Sequence, residues 1–341
     1  MKTNIYACLL AGGKGTRLWP LSTERFSKSF VRIGKRKPLI VETIDRLRGL
    51  AGKKNVIIVV DKAQSRLLRK SVKGIPQRNI LVEPFGRSTA SAIGLAAIKL
   101  KADDIMVVLP TDALIKESSA FRKTIKSAIK FVKDNENVLL CIGIKPKSPS
   151  TAYGYIKIKS RRQGIVYSVD KFIEKPDAKK ATELIKKPKY LWNAGMFVFR
   201  VKSILRAMKA NSPLLYKELQ RIKRKNKDKE KAYKRMKNVS IDYQIMEKTK
   251  NLYCAKGNFR WCDLGSWNSM GELLKSDRNG NLCFGKSTLM NTKDSIVYNS
   301  KNKDLGIIGL KNVIVVQTRN GMLVCDKKDA EQVKDLVTSL K

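Results

Sequence analysis

LLAGGKGTRLWPLS, residues 9–22, runs directly on from the apolar stretch 4–10 and places three glycines, a lysine and an arginine before Trp19-Pro20. In a doubly wound α/β sheet, ligands bind beyond the carboxyl ends of the strands, and a glycine-rich loop there presents backbone amides to them. Gly12, Gly13 and Gly15 let those amides approach an anion closely, while Lys14 and Arg17 add charge and directed donors. Taken alone, the loop can also be read as a structural turn, with phosphate binding the better of the two readings. It is not a dinucleotide fingerprint: a third glycine of G-x-G-x-x-G is missing, and Asp61 matches the expected acidic residue only weakly. GNLCFGKS, residues 280–287, fits the phosphate-loop pattern formally. It is rejected because Ser-Asp-Arg-Asn precedes it and the strand-like TLMNTKDSIVY follows it, where that loop needs a strand before and a helix after.

Outward from this loop the pattern alternates. Apolar runs at 4–10, 55–60, 79–82, 104–109 and 137–143 are separated by amphipathic stretches near 39–51, 63–73, 88–101 and 118–134. Short buried strands alternating with helices predict a Rossmann-like, doubly wound α/β sheet with right-handed crossovers. From 150 to about 275 strand-like YGYIKI, YSVDKFIEKP and WNAGMFVFR alternate with helices, so the sheet is expected to be mixed. Beyond that, short β-branched runs recur between Asn, Asp and Gly turns. The expected division is 1–276, an α/β domain, and 277–341, a small β-rich, β-helix-like domain closed by the helical AEQVKDLVTSL.

Composition narrows the chemistry. At 341 residues, 43% hydrophobic and 30% charged, the chain can bury a sizeable core. No apolar run reaches the roughly 18 residues a membrane helix needs, and Ile5 to Ala11 is too short for a signal-peptide core, so a cytoplasmic protein with no membrane partner is expected. The six cysteines (8, 141, 254, 262, 283, 325) form no CxxC pair and are expected as reduced thiols. Histidine is absent, which excludes Ser-His and Cys-His nucleophile pairs and imidazole metal sites. The net charge of +43 invites a nucleic-acid reading, but the lysines are spread along the chain. The one dense run, RIKRKNKDKEKAYKRMK (221–237), carries few aromatics for base stacking and is read as an exposed helix; no nucleic-acid partner is expected.

The remaining chemistry must run on carboxylates, cations and backbone amides. LPTDAL places Asp112 just past the strand 104–109, readable as a turn or N-cap residue or as a metal ligand. FRWCDLGSW supplies a second such carboxylate, Asp263. One carboxylate from each of two loops, completed by substrate phosphates, is how Mg²⁺ is usually held. FIEKP offers Glu174–Lys175 at a strand end. EPFGRSTASAIGLAAI opens a helix after Glu83 and Arg87, with Ser88 at the N-cap position.

Taken in order, LLAGGKGTRLWPLS, EPFGRSTASAIGLAA, LPTDALI, YGYI, FIEKP, WNAGMFVF, SIDYQIMEK and WCDLGSW resemble the motif series of the mannose-1-phosphate guanylyltransferases, a branch of the sugar-nucleotide pyrophosphorylases, from about residue 4 to 275. The resemblance implies transfer of GMP from GTP to mannose 1-phosphate, giving GDP-mannose and pyrophosphate, with Mg²⁺ as cofactor and a homodimer as the expected assembly. It implies that Leu10, Ala11, Gly12, Gly13, Gly15, Thr16, Glu83, Arg87 and Ser88 bind the nucleotide. Arg17, Lys28 and Lys175 would act on the phosphates, Gly154, Glu174, Lys175 and Asn193 would hold the sugar phosphate, and Asp112 and Asp263 would hold the metal. A sugar 1-phosphate oxygen is already anionic at neutral pH, so attack on the α-phosphorus needs no general base, and a chain without histidine can catalyse it by alignment and charge neutralisation. The same absence argues against a fused isomerase of the cupin type.

The family's usual Pro-Lys-Gln-Phe is here Ser27-Lys28-Ser29-Phe30; Ser88 replaces Asn, Ala113 replaces His and Ala194 replaces Ser. Charged anchors are retained while neutral hydrogen-bonding neighbours are trimmed. That leaves another hexose or heptose 1-phosphate, another nucleoside triphosphate, or a weakly catalytic nucleotide-binding paralogue as the alternatives.

Overall fold

A computed structural model describes residues 3–13, 15–34, 36–301 and 303–340. The strands in chain order are β1 (Ile5–Leu10), β2 (Val56–Asp61), β3 (Ile80–Glu83), β4 (Ile105–Pro110), β5 (Leu114–Ile115), β6 (Leu139–Ile144), β7 (Tyr155–Gln163), β8 (Val166–Ile173), β9 (Tyr190–Arg200), β10 (Leu252–Gly257) and β11 (Trp261–Cys262). The helices are α1 (Leu39–Arg46), α2 (Lys62–Ser71), α3 (Thr89–Ala97), α4 (Ser118–Asp134), α5 (Ala178–Ile185), α6 (Val201–Asn211), α7 (Pro213–Arg224), α8 (Lys229–Arg235) and α9 (Ile241–Gln244).

A nine-stranded sheet in the order β3-β2-β1-β4-β9-β6-β10-β8-β7 is the frame. Its first four strands are mutually parallel, β9 runs antiparallel to both β4 and β6, and β10 is parallel to β6. The parallel strands read as continuous apolar runs because both faces are covered. Alternation still decides the face. Ala7, Leu9, Ile58 and Val107 join the core beneath α1, α2, α4 and α5, whereas Cys8, Ile57, Val59 and Met106 join the core beneath α3 and α6–α9.

The basic run 221–237 departs from the single exposed helix expected of it. α7 ends at Arg224, a 3₁₀ turn spans Asn226–Asp228, and α8 begins at Lys229. Ala232, Tyr233 and Met236 are buried, and the Tyr233 ring meets Phe85 edge-on at 6.1 Å. Apolar anchoring has broken the helix so that its second half folds back onto the sheet.

The C-terminal strands are β12 (Leu282–Phe284), β13 (Ser287–Met290), β14 (Ile296–Asn299), β15 (Leu305–Ile308), β16 (Val313–Thr318) and β17 (Gly321–Asp326), followed by α10 (Val333–Ser339). β12, β14 and β16 stack in parallel, as do β13 and β15, which is the coil of a short β-helix; GNLCFGKS joins two of these strands and opens no helix. This layer shares one core with the turn after the glycine loop: Leu18, Leu21, Val31 and Ile33 pack with Leu282, Ile296, Ile314 and Leu323. The indole Nε1 of Trp267 donates to the Trp19 carbonyl at 3.2 Å, and the Thr318 hydroxyl donates to the Pro20 carbonyl at 3.1 Å. Because Trp267 is fully buried at this junction, Trp267→Ala is expected to cost about 3–5 kcal/mol, read as a lower urea midpoint at unchanged m-value.

Candidate active site

The glycine loop continues β1: the Ala11 N–H still donates to the Val59 carbonyl at 2.8 Å before the chain leaves the sheet. Gly12 and Gly13 have open space where a side chain would be, so their backbone is approachable. Gly15 has φ 61°, and a Cβ there would fall 2.7 Å from the Lys28 Cβ; only glycine permits this packing. Thr16 opens a 3₁₀ turn whose Gly15 carbonyl is held by the Ser22 hydroxyl. Lys14 lies outside the described residues. Arg17 is half-exposed and pairs with Glu331 of the C-terminal segment, Nε to Oε2 2.9 Å.

Lys28 begins another 3₁₀ turn and is only 8% exposed. Its ammonium lies 2.9 Å from Asp112 Oδ2 and donates to the Asp263 backbone carbonyl. The two aspartates are brought together by a two-residue antiparallel ribbon, with Leu114 of β5 opposite Cys262 of β11. Asp112 stands two residues before this ribbon and Asp263 immediately follows it. Asp263 Oδ1 accepts from the Tyr153 hydroxyl and from the Gly265 N–H, both at 2.9 Å. Asp112 Oδ2 and the Asp263 carbonyl already hold a positive charge, and the Asp263 carboxylate stands on the same loop; carboxylate and carbonyl oxygens of this kind fit a hard divalent cation.

Beside the loop lies a cavity of about 510 Å³ bounded by Leu10, Gly12, Gly13, Glu83, Arg87 and Ser88. Its depth is set by Glu83, 4% exposed, with Oε1 buried and without a hydrogen-bond partner. Burial pushes this carboxyl up to about 7; Asp61 adds to the push, while Tyr233 and Lys229 hold part of it back. Arg87 forms a wall, its guanidinium 4.9 Å over the Phe85 ring and donating to the Tyr233 and Lys234 carbonyls at 2.9 and 3.1 Å. Ser88 occupies the N-cap position of α3, yet its hydroxyl makes no cap hydrogen bond and is buried unpartnered.

On the other side of Tyr153, Gly154 accepts through its carbonyl from the Asn193 N–H at 2.8 Å, and a side chain at Gly154 would strike Glu174 Oε2. That oxygen is buried without a partner. Lys175, at φ 45°, turns its ammonium back to 3.3 Å from Glu174 Oε1. The Asn193 amide donates to Asp242 Oδ1 at 2.8 Å and accepts from the Gly195 N–H at 3.1 Å, which fixes its orientation. Burial and the neighbouring Asp242 raise the Glu174 carboxyl, opposed by Lys175, and burial raises Asp242. Asp242 is the residue that reading the sequence did not single out. It sits within SIDYQIMEK two positions after the N-cap Ser240, where an acidic residue is ordinary helix chemistry. Only its bond to Asn193, 49 residues away, marks it.

The structure therefore gathers Gly15, Lys28, Asp112 and Asp263 in one cluster, Leu10, Gly12, Gly13, Glu83, Arg87 and Ser88 around a neighbouring cavity, and Gly154, Glu174, Lys175 and Asn193 in a third; Ala11 is buried in the core and does not line the cavity. The Tyr153–Asp263 bond joins the first to the third. Arg17 is the member drawn elsewhere, toward Glu331. None of the described helices is long and apolar enough to cross a membrane.

A carboxyl raised to about 7 holds a proton that the unfolded chain has lost above its ordinary value of 4.5, so stability falls as pH rises between those values. The full penalty, about 3 kcal/mol at 1.36 kcal/mol per unit, is present above pH 7. Glu83→Gln is expected to raise the melting temperature relative to the unsubstituted protein at pH 8 but not at pH 4.5, measured by thermal unfolding at both.

Residues 6–280 match the nucleotidyl transferase family, and residues 285–340 match the MannoseP isomerase/GMP-like beta-helix domain. A mannose-1-phosphate guanylyltransferase of Escherichia coli is 33% identical over 100% of this chain and 76% of its own length. One from Salmonella muenchen is 34% identical over 98% and 72%, and the alginate biosynthesis protein AlgA of Pseudomonas putida is 32% identical over 97% and 70%. Among solved structures, a Thermus thermophilus protein described as a mannose-1-phosphate geranyltransferase superposes with TM-score 0.92 at 29% identity, covering 99% of both chains. A Helicobacter pylori mannose-6-phosphate isomerase gives 0.63 at 26% identity over 76% of this chain and 99% of its own. With its glycine loop, its ribbon-tied aspartates and these full-length likenesses, the chain belongs to the nucleotidyl transferase family, among the mannose-1-phosphate guanylyltransferases.

Proposed function

We propose that this enzyme transfers GMP from GTP to mannose 1-phosphate, releasing pyrophosphate, and that it does so along the edge joined by the Tyr153–Asp263 hydrogen bond. That bond is the observation that carries the reading, because it makes the sugar side and the phosphate side one continuous site. Guanine enters the cavity at Glu83, whose unpartnered, buried oxygen accepts from the N–H donors on the base edge. Leu10, Ala11, Gly12, Gly13, Gly15 and Thr16 carry the phosphates past the strand end, and Arg87 and Ser88 close the outer side.

Glu174 and Asn193 bind the sugar hydroxyls, Gly154 gives them room, and Lys175 meets the sugar phosphate. Held by Asp112 and Asp263, Mg²⁺ would neutralise charge on the nucleotide phosphates. Lys28 neutralises the reacting phosphates from the protein side, and Arg17, released from Glu331, takes the departing pyrophosphate. A phosphate oxygen of the sugar phosphate forms the new bond to the α-phosphorus as the bond to the β-phosphate oxygen breaks; no proton need move.

Two of the family departures, Ala113 and Ala194, are core residues, 1% and 2% exposed. The same proposal takes 1–276 as the catalytic domain and 277–341 as the β-rich domain. It places the enzyme in the cytoplasm with no membrane or nucleic-acid partner, and takes the exposed Ile308, Met322 and Val324 as a contact between two copies.

The test is pyrophosphate release with Mg²⁺ across the four nucleoside triphosphates and a panel of sugar 1-phosphates. One strong combination, GTP with mannose 1-phosphate, is expected, and release with every combination absent from the folded protein would overturn the proposal. Asp112→Ala and Asp263→Ala should each lower turnover by about 10²–10³-fold or more. Asp242→Ala, which leaves the Asn193 amide unpaired, should raise KM for the sugar phosphate by about tenfold while leaving KM for GTP unchanged.

A further inference from the structure

Lys28 is tied to two parts of the site at once. Its ammonium binds Asp112 Oδ2 at 2.9 Å and the Asp263 carbonyl, the two loops that the proposed function assigns to the metal. Yet its stem lies directly beneath Gly15 of the phosphate loop. The turn that carries it is fastened as well, since the neighbouring Ser29 hydroxyl accepts from Thr111 Oγ1 at 2.8 Å, one residue before Asp112. The backbone is thus fixed between the Asp112 carboxylate and the loop where a triphosphate would lie, and only the flexible end of the side chain can move between them.

We propose that in the nucleotide-free enzyme the Lys28 ammonium is an internal counter-cation standing in the divalent-cation position, so that the metal binds only in company with the nucleotide. A divalent cation and an ammonium cannot share the same oxygens, because each repels the other while competing for the same lone pairs. With Lys28 in place the carboxylate of Asp112 is neutralised, and a free cation meets a site whose competent form is a small fraction of the population. Triphosphate oxygens arriving at the Gly15 loop offer Lys28 a stronger partner. Rotation of its terminal carbons toward them vacates Asp112, and the cation carried by the triphosphate takes the oxygens left behind. By linkage, each of the two ligands then tightens the other. The benefit is that cellular divalent cations do not lock the loops before substrate arrives.

This rests on the metal assignment in the proposed function, and the experiment separates the two. Mn²⁺ binding to the nucleotide-free protein is measured by the EPR signal of the free aquo ion. Lys28→Met and Lys28→Gln, which keep the stem beneath Gly15 and remove the charge, are compared with the unsubstituted protein, each first checked for a cooperative melt. The expected result is Mn²⁺ binding at least about tenfold tighter in either folded variant, abolished again when Asp112→Asn is added. The ternary complex with GTP is read by water-proton relaxation. Folded variants that bind Mn²⁺ no more tightly than the unsubstituted protein, while the unsubstituted protein still forms the ternary complex, would overturn the gate and leave the metal assignment standing. No Mn²⁺ bound by protein in any sample, with or without GTP, would overturn both.

Discussion

The site depends on β9 running against the direction of its neighbours. β4 and β6 deliver their loops to the carboxyl edge of the sheet, and β9, antiparallel between them, arrives at that same edge with its early residues. Val108 of β4 pairs with Phe197, so Asn193 lies further along, toward the loop that holds Asp112. Had β9 been parallel, the Asn193 amide would sit at the opposite edge, away from Gly154 and Asp242. Gly195, at φ 66°, lies at the irregularity of the β6–β9 ladder between Phe197 and Asn193; Asn193 stays paired with Gly143 while its side-chain amide donates to Asp242.

Around that edge the chain accepts several electrostatic costs. Glu83 and Glu174 each carry a buried oxygen without a partner, and both carboxyls are raised by burial. Groups of this kind are ordinarily avoided in a folded interior, and where they occur they point to a ligand that completes them. The cations are disposed in the complementary way. Lys28 and Lys175 each face a carboxylate at 2.9 and 3.3 Å, ready to exchange it for a phosphate. α8, although it comes from the most basic stretch, meets Arg87 through its backbone carbonyls and not its charges, and so builds the outer wall of the cavity.

The small β layer is part of the machinery's footing. The turn after the glycine loop has no core of its own; it borrows one from Ile296, Ile314 and Leu323, and its carbonyls at Trp19 and Pro20 are satisfied by Trp267 and Thr318. The pairing of Arg17 with Glu331 extends that contact to the loop's own cation.

The order of strands and helices in the first half could be read directly, because buried parallel strands leave apolar runs and α1, α2 and α4 leave a 3.6-residue period; α3, expected to be amphipathic, is instead buried on every side between the sheet and α6–α9. The glycine loop and the two aspartates could be read as well, since they sit at strand ends where this architecture places ligands. Asp242 could not, because a carboxylate in a first helical turn carries no mark of the amide it will meet 49 residues away in sequence. Nor could the break between α7 and α8, where burial of Tyr233 and Met236 outweighs a composition that favours one solvated helix. Sequence by itself determined which residue types stand at which strand ends, for these follow from local periodicity and covalent order. Tertiary structure alone decided that Lys28 lies between Asp112 and Asp263, that Tyr153 joins the two halves of the site, and that Arg17 turns to Glu331, because each is a contact between distant segments whose meeting is set by sheet order and shared cores.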